Sequence, residues 1–249
     1  MNDDFYIGYL DESPPALARH TRWVGLTLMT LVAGLAAIFA AGQRPAEPGT
    51  FEFGVKRSFE GVLFENPLPI LRSVSPGGSV TNYLLVGAGK HGLPPFARGH
   101  DGFPVRFEGS LIQKGTSVMV ELNDEKSFTV LGSANPGKIR PAQELIGDVM
   151  LTGELVDTKC YYGVMRPATG KVHRACAVRC LSGGVPPGLL LRDGKGGAVV
   201  VLLSGPEDRP LNFDVEWAAR VVKAEGRLTL REGLPYLEVV RLSLADGGG

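Results

Sequence analysis

The pattern of apolar and polar positions changes character along the chain. Residues 23–42, WVGLTLMTLVAGLAAIFAAG, carry no charge. An apolar run of about twenty residues matches one crossing of a bilayer, so this segment predicts a transmembrane helix with Trp23 at the interface. A linker follows at 43–50, QRPAEPGT, and beyond it the pattern turns to alternation. FEFGVKRSFEGVLFE, NYLLVGAG, FPVRFEGSLI and SVMVELN read as strands of a first β domain over 51–131. A second linker, 132–147, leads to VMLTGELVD, GLLLRDG, AVVVLLS, ARVVKAEGRLTL and PYLEVVRLSL, strands of a second β domain over 148–245.

The two strand sets align in order. Phe59-Glu60-Gly61-Val62-Leu63 matches Leu151-Thr152-Gly153-Glu154-Leu155. Leu84-Leu85, followed by Gly89-Lys90, matches Leu190-Leu191, followed by Gly194-Lys195. Val105 to Gly109 matches Val222 to Gly226, with Glu121 falling on Glu238. Three matches in one order predict a tandem repeat. Short strands with glycine-marked bends suit an OB-like five-stranded barrel, with a pair of small β-sandwiches as the rival. The expected fold class is therefore mainly all-β: an N-terminal transmembrane helix, then two tandem OB-like barrels.

Composition adds limits. Charge is balanced at 26 basic and 26 acidic residues, which gives no global reason to expect a nucleic-acid partner. The leader before the apolar run is long and holds Asp3, Asp4, Asp11 and Glu12, unlike the short basic start of a cleaved signal peptide. It reads as an uncleaved anchor. Arg19 and Arg22 place the N-terminus in the cytoplasm, against a weaker bias from Arg44, and send the β domains to the periplasm. The cytoplasmic head, residues 1–22, reads as either a disordered leader or a dock for another membrane subunit.

One stretch concentrates the chemistry. DTKCYYGVMRPATGKVHRACAVRCLSGG, Asp157 to Gly184, holds all three cysteines, Cys160, Cys176 and Cys180, together with His173. KVHRACAVRCL lies between Gly170 and Gly183-Gly184, which predicts a short helix. His173, Cys176 and Cys180 then fall at i, i+3 and i+7, on one face. Cys160, arriving from the preceding loop, completes a Cys3His metal-site pattern. The first repeat has no cysteine, so this helical Cys/His insert at 157–187 reads as a graft on a common scaffold, where function usually sits.

The order G-E-x-V-D-x-x-C-Y, then H-x-x-C-A-x-x-C, then G-x-P, resembles a largely uncharacterised family of exported bacterial OB-like domains. The matching residues are Gly153, Glu154, Val156, Asp157, Cys160, Tyr161, His173, Cys176, Ala177, Cys180, Gly184 and Pro186. The resemblance covers about 148–242 and implies an OB-like fold and export; it implies no activity.

Thiolates with an imidazole suit copper, zinc or an iron–sulfur cluster, and Met165 offers a thioether for copper. Two alternatives stay open. Cys160 can pair with Cys176 or Cys180 in a disulfide staple, leaving one thiol. Alternatively Lys171, Arg174, Arg179 and His173 lower a thiol pKa for redox chemistry, although C-x3-C is not the C-x-x-C motif. Asp157 either orients His173 or caps a turn. His91 and His100, with Asp101, sit in the loop GAGKHGLPPFARGHDG and read as solvent-facing. GAGKHG and DGKGG read as hairpin turns, and Trp217 as core or a short helix between strands. The expected function is a membrane-anchored periplasmic metal-binding protein, an accessory or electron-transfer subunit of a membrane redox complex, and more a component than an enzyme by itself.

Overall fold

A computed structural model describes residues 13–42, 49–134 and 141–245. Residues 1–12 of the expected head, 43–48 of the first linker and 135–140 of the second lie outside the described residues. Helix α1 spans Pro15–Gly42 and is long and apolar enough to cross a membrane. It begins before the apolar run, taking in residues 15–22, because proline fits a first helical position and Ala16, Leu17 and Ala18 propagate the helix. Thr21, Thr27 and Thr30 donate their hydroxyls to the carbonyls of Leu17, Trp23 and Leu26, so these polar side chains are satisfied within the helix.

The described residues from 49 onward form two closed five-stranded barrels. The first uses β2 (Arg57–Phe64), β3 (Ile70–Val74), β4 (Val80–Gly87), β5 (Pro104–Lys114) and β6 (Ser117–Leu122), with the short β1 (Thr50–Phe51) and β7 (Thr129–Val130) added along β5. The second uses β8 (Gln143–Asp157), β9 (Pro187–Arg192), β10 (Ala198–Ser204), β11 (Val221–Arg231) and β12 (Leu234–Leu244). Each circuit runs first–second–third–fifth–fourth and back to the first, and in each the third strand pairs parallel with the fifth. Two barrels with one strand order are the OB-like architecture expected from the repeat.

Register tests the repeat position by position. Gly61 pairs with Val105, and Gly153 pairs with Val222. Glu121 lies opposite Val86 and Ser110, and Glu238 lies opposite Ser204 and Arg227, so these matches are structural. The Leu84/Leu190 match is not. Leu84-Leu85 lie on a third strand and Leu190-Leu191 on a second, and register places Leu84-Leu85 on Leu202-Leu203. A short leucine run before a Gly/Lys turn occurs on both a third and a second strand here and does not identify either. The second linker is also shorter than it reads, because Gln143 to Gly147 extend β8 along β11.

The third strands explain their own sequences. YLLVG and VVVLL are continuous apolar runs, the mark of a strand covered on both faces. Leu85, Val201 and Leu203 face their own barrel cores, while Leu84, Val86, Val200 and Leu202 meet in a shared core between the barrels. Tyr161, Tyr162, Cys180 and Val185 belong to that shared core too.

Polar contacts reinforce the junction. Arg72 of β3 donates from Nε and Nη2 to the carboxylate of Glu232, at 2.6–2.9 Å, and Asn82 donates to the same group at 3.1 Å. Glu232 sits in the tight β11–β12 turn with φ 48°, a left-handed conformation that disfavours most side chains. The ion pair across the junction accompanies that local strain.

Candidate metal centre

In the first barrel residues 65–69 join the first two strands; in the second, residues 158–186 do so. Asp157 and Pro187 pair in register, so the longer connection leaves and re-enters the barrel at one point. It contains α2 (Thr158–Tyr162) and α3 (Gly170–Ser182). Cys160 therefore stands on a short helix rather than in a loop. The Asp157 carboxylate caps α2 by accepting from the Cys160 amide at 2.8 Å. Thr158 donates its hydroxyl to the Pro186 carbonyl at 2.8 Å, tying the start of the connection to its end.

α3 ends where its glycines predict. Gly184 takes φ 88°, its amide bonds the Leu181 carbonyl, and the Val185 amide bonds the Cys180 carbonyl at 3.0 Å. That double closure is the Schellman motif, with Val185 and Cys180 packed together beneath it. Glu154 of β8 accepts from the Gly170 amide at the other end. Several residues that carry the family resemblance thus have a structural role, since Glu154, Asp157, Gly184 and Pro186 fix where α2 and α3 lie.

The three sulfurs converge. Cys160 Sγ lies 3.8 Å from Cys176 Sγ and 3.8 Å from Cys180 Sγ, and all three fall within 4.8 Å of one another. Metal–sulfur bonds of about 2.3 Å put the sulfurs of a tetrahedral site about 3.8 Å apart, so this spacing suits a shared ion. The three thiols are unlinked.

His173 lies beside this group rather than in it. Its Nε2 is 3.0 Å from Asp157 Oδ2, both side chains are buried, and its ligand atoms group with those of Asp157 and Cys160. The Cys3His set read from the sequence is thus divided into three sulfurs and an adjoining Asp157–His173 pair that meet at Cys160. Asp157 performs both roles considered for it, capping α2 and holding the histidine.

The cation at the site is not one that sequence proximity suggests. Lys171, Arg174 and Arg179 are not its partners; Lys90 Nζ, from the β4–β5 loop of the first barrel, lies 2.6 Å from Cys176 Sγ. That contact holds the Lys90 pKa above its usual value. GAGKHG is therefore a docking loop, not a hairpin turn, whereas DGKGG does join β9 to β10 in a hairpin. Gly92 donates to the Gly183 carbonyl at 2.8 Å, and a side chain at Gly92 would strike the Gly184 backbone. Lys159 completes the dock: its ammonium donates to the Gly87 and Gly89 carbonyls at 2.7 and 2.6 Å and pairs with buried Glu121 at 2.5 Å.

Within the cluster, the hydrogen bond between Cys160 and Cys180 moves the two thiols apart. It pushes Cys160 up, with burial and the Asp157 charge adding to the rise, and it draws Cys180 down against the cost of burial. Cys180 is thus the more readily ionised of the pair.

The remaining candidates lie elsewhere. His91 is exposed as expected, but His100 is half-buried rather than solvent-facing: it packs edge-on to Phe103 and tilted against Phe128, with its Nδ1 3.3 Å from the Ala97 carbonyl oxygen. Met165 is exposed between α2 and α3. Trp217 ends a 3-10 turn, Val215–Trp217, and packs on the second barrel core.

No protein-family model matches the chain, and no curated protein is similar to it. Among solved structures, the chain is similar to a deletion mutant of the single-stranded DNA binding protein from Thermus aquaticus, at 15% identity and a TM-score of 0.22, over 80% of this chain and 95% of that one. The OB-like assignment accordingly rests on strand order and register within the barrels themselves.

Proposed function

We propose that this chain is a membrane-anchored metal-binding protein, an accessory or electron-transfer subunit of a membrane redox assembly. The observation that carries the reading is the convergence of Cys160, Cys176 and Cys180 within 4.8 Å of one another at the junction of two barrels. Soft sulfur donors select copper(I), zinc or iron–sulfur clusters over hard cations. The apolar α1 supports anchoring, and Arg19 and Arg22 before its apolar run support a cytoplasmic N-terminus with the barrels on the exported side. His173, held by Asp157 next to Cys160, is the imidazole available to a ligand set that widens on binding.

A second reading has one observation in its favour. Cys160 is equally close to Cys176 and Cys180, so oxidation can staple α2 to α3 through either pair. The chain would then be a structural subunit.

Elemental analysis with thiol counting separates the two. The full chain is purified in detergent without chelator or affinity metal. Bound metal near one per chain, with three thiols titrating only after denaturation and chelation, is the expected result. Absence of metal with a single titratable thiol would overturn it and leave the staple.

A further inference from the structure

We infer that the ion is copper(I), held by the thiolates of Cys160, Cys176 and Cys180 alone, with Lys90 of the first barrel as the charge partner of the bound thiolates. The inference rests on the metal-binding reading and names the ion that the site is built to take.

Donor count comes first. Among the described residues, no histidine, aspartate or glutamate ligand atom joins the three sulfurs within 4.8 Å. His173, the imidazole grouped with Cys160, has its Nε2 on Asp157 Oδ2 at 3.0 Å, and the carboxylate is itself fixed by the Cys160 amide at 2.8 Å. Ligation through Nε2 would break that buried pair with Asp157. A structural zinc site wants four protein donors, and a catalytic one wants three plus a water. Copper(I) is satisfied by fewer, softer donors, and an all-sulfur set disfavours copper(II), which prefers nitrogen and oxygen in tetragonal geometry.

Charge comes second. Three thiolates around a monovalent ion leave two net negative charges in a partly buried junction. Lys90, 2.6 Å from Cys176 Sγ, returns one positive charge at a position where it can donate to sulfur without ligating the ion. Binding releases the protons of whichever thiols were still protonated. A site that favours one oxidation state does not cycle electrons well. The inference therefore moves the role from electron transfer toward holding and handing on copper(I), as an accessory to a copper-using partner.

The test uses the full chain in detergent, reduced and free of oxygen. Copper(I) is titrated against bicinchoninate, and the copper K-edge absorption spectrum is recorded on wild type, which needs no variant to fold. The expected result is one copper(I) per chain with three sulfur neighbours and no nitrogen, retained in a large excess of zinc(II). Lys90→Met should weaken copper(I) binding about 10–100-fold while keeping the same sulfur shell. A nitrogen neighbour, or displacement of copper by zinc, would overturn the assignment of the ion while leaving a metal site. Failure to bind either ion, with no iron in the purified protein, would remove the metal-binding reading itself.

Discussion

Asp157 and His173 form a buried pair, Oδ2 to Nε2 at 3.0 Å, whose carboxylate also caps the helix that presents Cys160. One side chain thereby sets the position of a thiol and the orientation of an imidazole. It does so from the last residue of β8, the point where the chain leaves the barrel and to which Pro187 returns.

Replacing Asp157 should therefore cost more than a helix cap. In Asp157→Ala the Cys160 amide loses its acceptor, worth about 1 kcal/mol, and His173 loses its buried partner, worth about 1–3 kcal/mol. Urea denaturation should show the summed loss, with Asp157→Asn falling between the alanine variant and wild type. A loss no larger than the cap alone would mean that the histidine pair contributes nothing.

Lys159 and Glu121 are a buried pair across the junction, and the Lys159 ammonium has three acceptors. Lys159→Met strands a buried carboxylate and should destabilise by about 3–5 kcal/mol. The double variant Lys159→Met/Glu121→Leu removes both charges and should recover much of that loss. If the two changes simply add, the pair is not coupled and the dock is held by packing.

Glu232 offers a pH test of the same junction. Burial tends to raise its pKa, but the hydrogen bonds from Arg72 and Asn82 and the Arg72 charge outweigh it, and the net shift is downward. A depressed carboxylate contributes stability that is complete above its unfolded value of about 4.3 and is lost as pH falls through the lower folded value. The stability difference between wild type and Glu232→Gln should be steady near neutrality and shrink below about pH 4. A difference that grows in acid would reverse the sign of the linkage.

Gly92→Ala tests the dock from the backbone. The added methyl meets the Gly184 carbonyl and must push the β4–β5 loop away from α3. Overpacking of this kind costs about 1–3 kcal/mol. It should also carry Lys90 off Cys176, so the sulfur loses its adjacent ammonium and alkylation under reducing, metal-free conditions should be slower than in wild type. Unchanged thiol reactivity despite lost stability would separate the loop from the cysteines.

Local patterns were enough for much of this molecule. An uninterrupted apolar run marks α1 because a helix satisfies its own backbone hydrogen bonds, whatever surrounds it. Alternation and glycine-marked bends yield the strands, and the Gly61/Gly153 and Glu121/Glu238 matches keep their register because each barrel repeats one pairing scheme. The Gly183-Gly184 stop for α3 and the single face shared by Cys176 and Cys180 are likewise local, set by a turn conformation and a helical period.

Tertiary structure decided the rest, because it depends on which surfaces meet. Leu84 and Leu202 correspond only once both third strands are seen covered on two faces, one of them the other barrel. Lys90 reaches Cys176 across a sequence gap of 86 residues, and Lys159 reaches Gly87 across 72. No periodicity spans such distances. The position of His173 was settled by competition: a carboxylate fixed at the end of β8 holds the imidazole beside the sulfurs, and helical spacing alone had no means of weighing that partner.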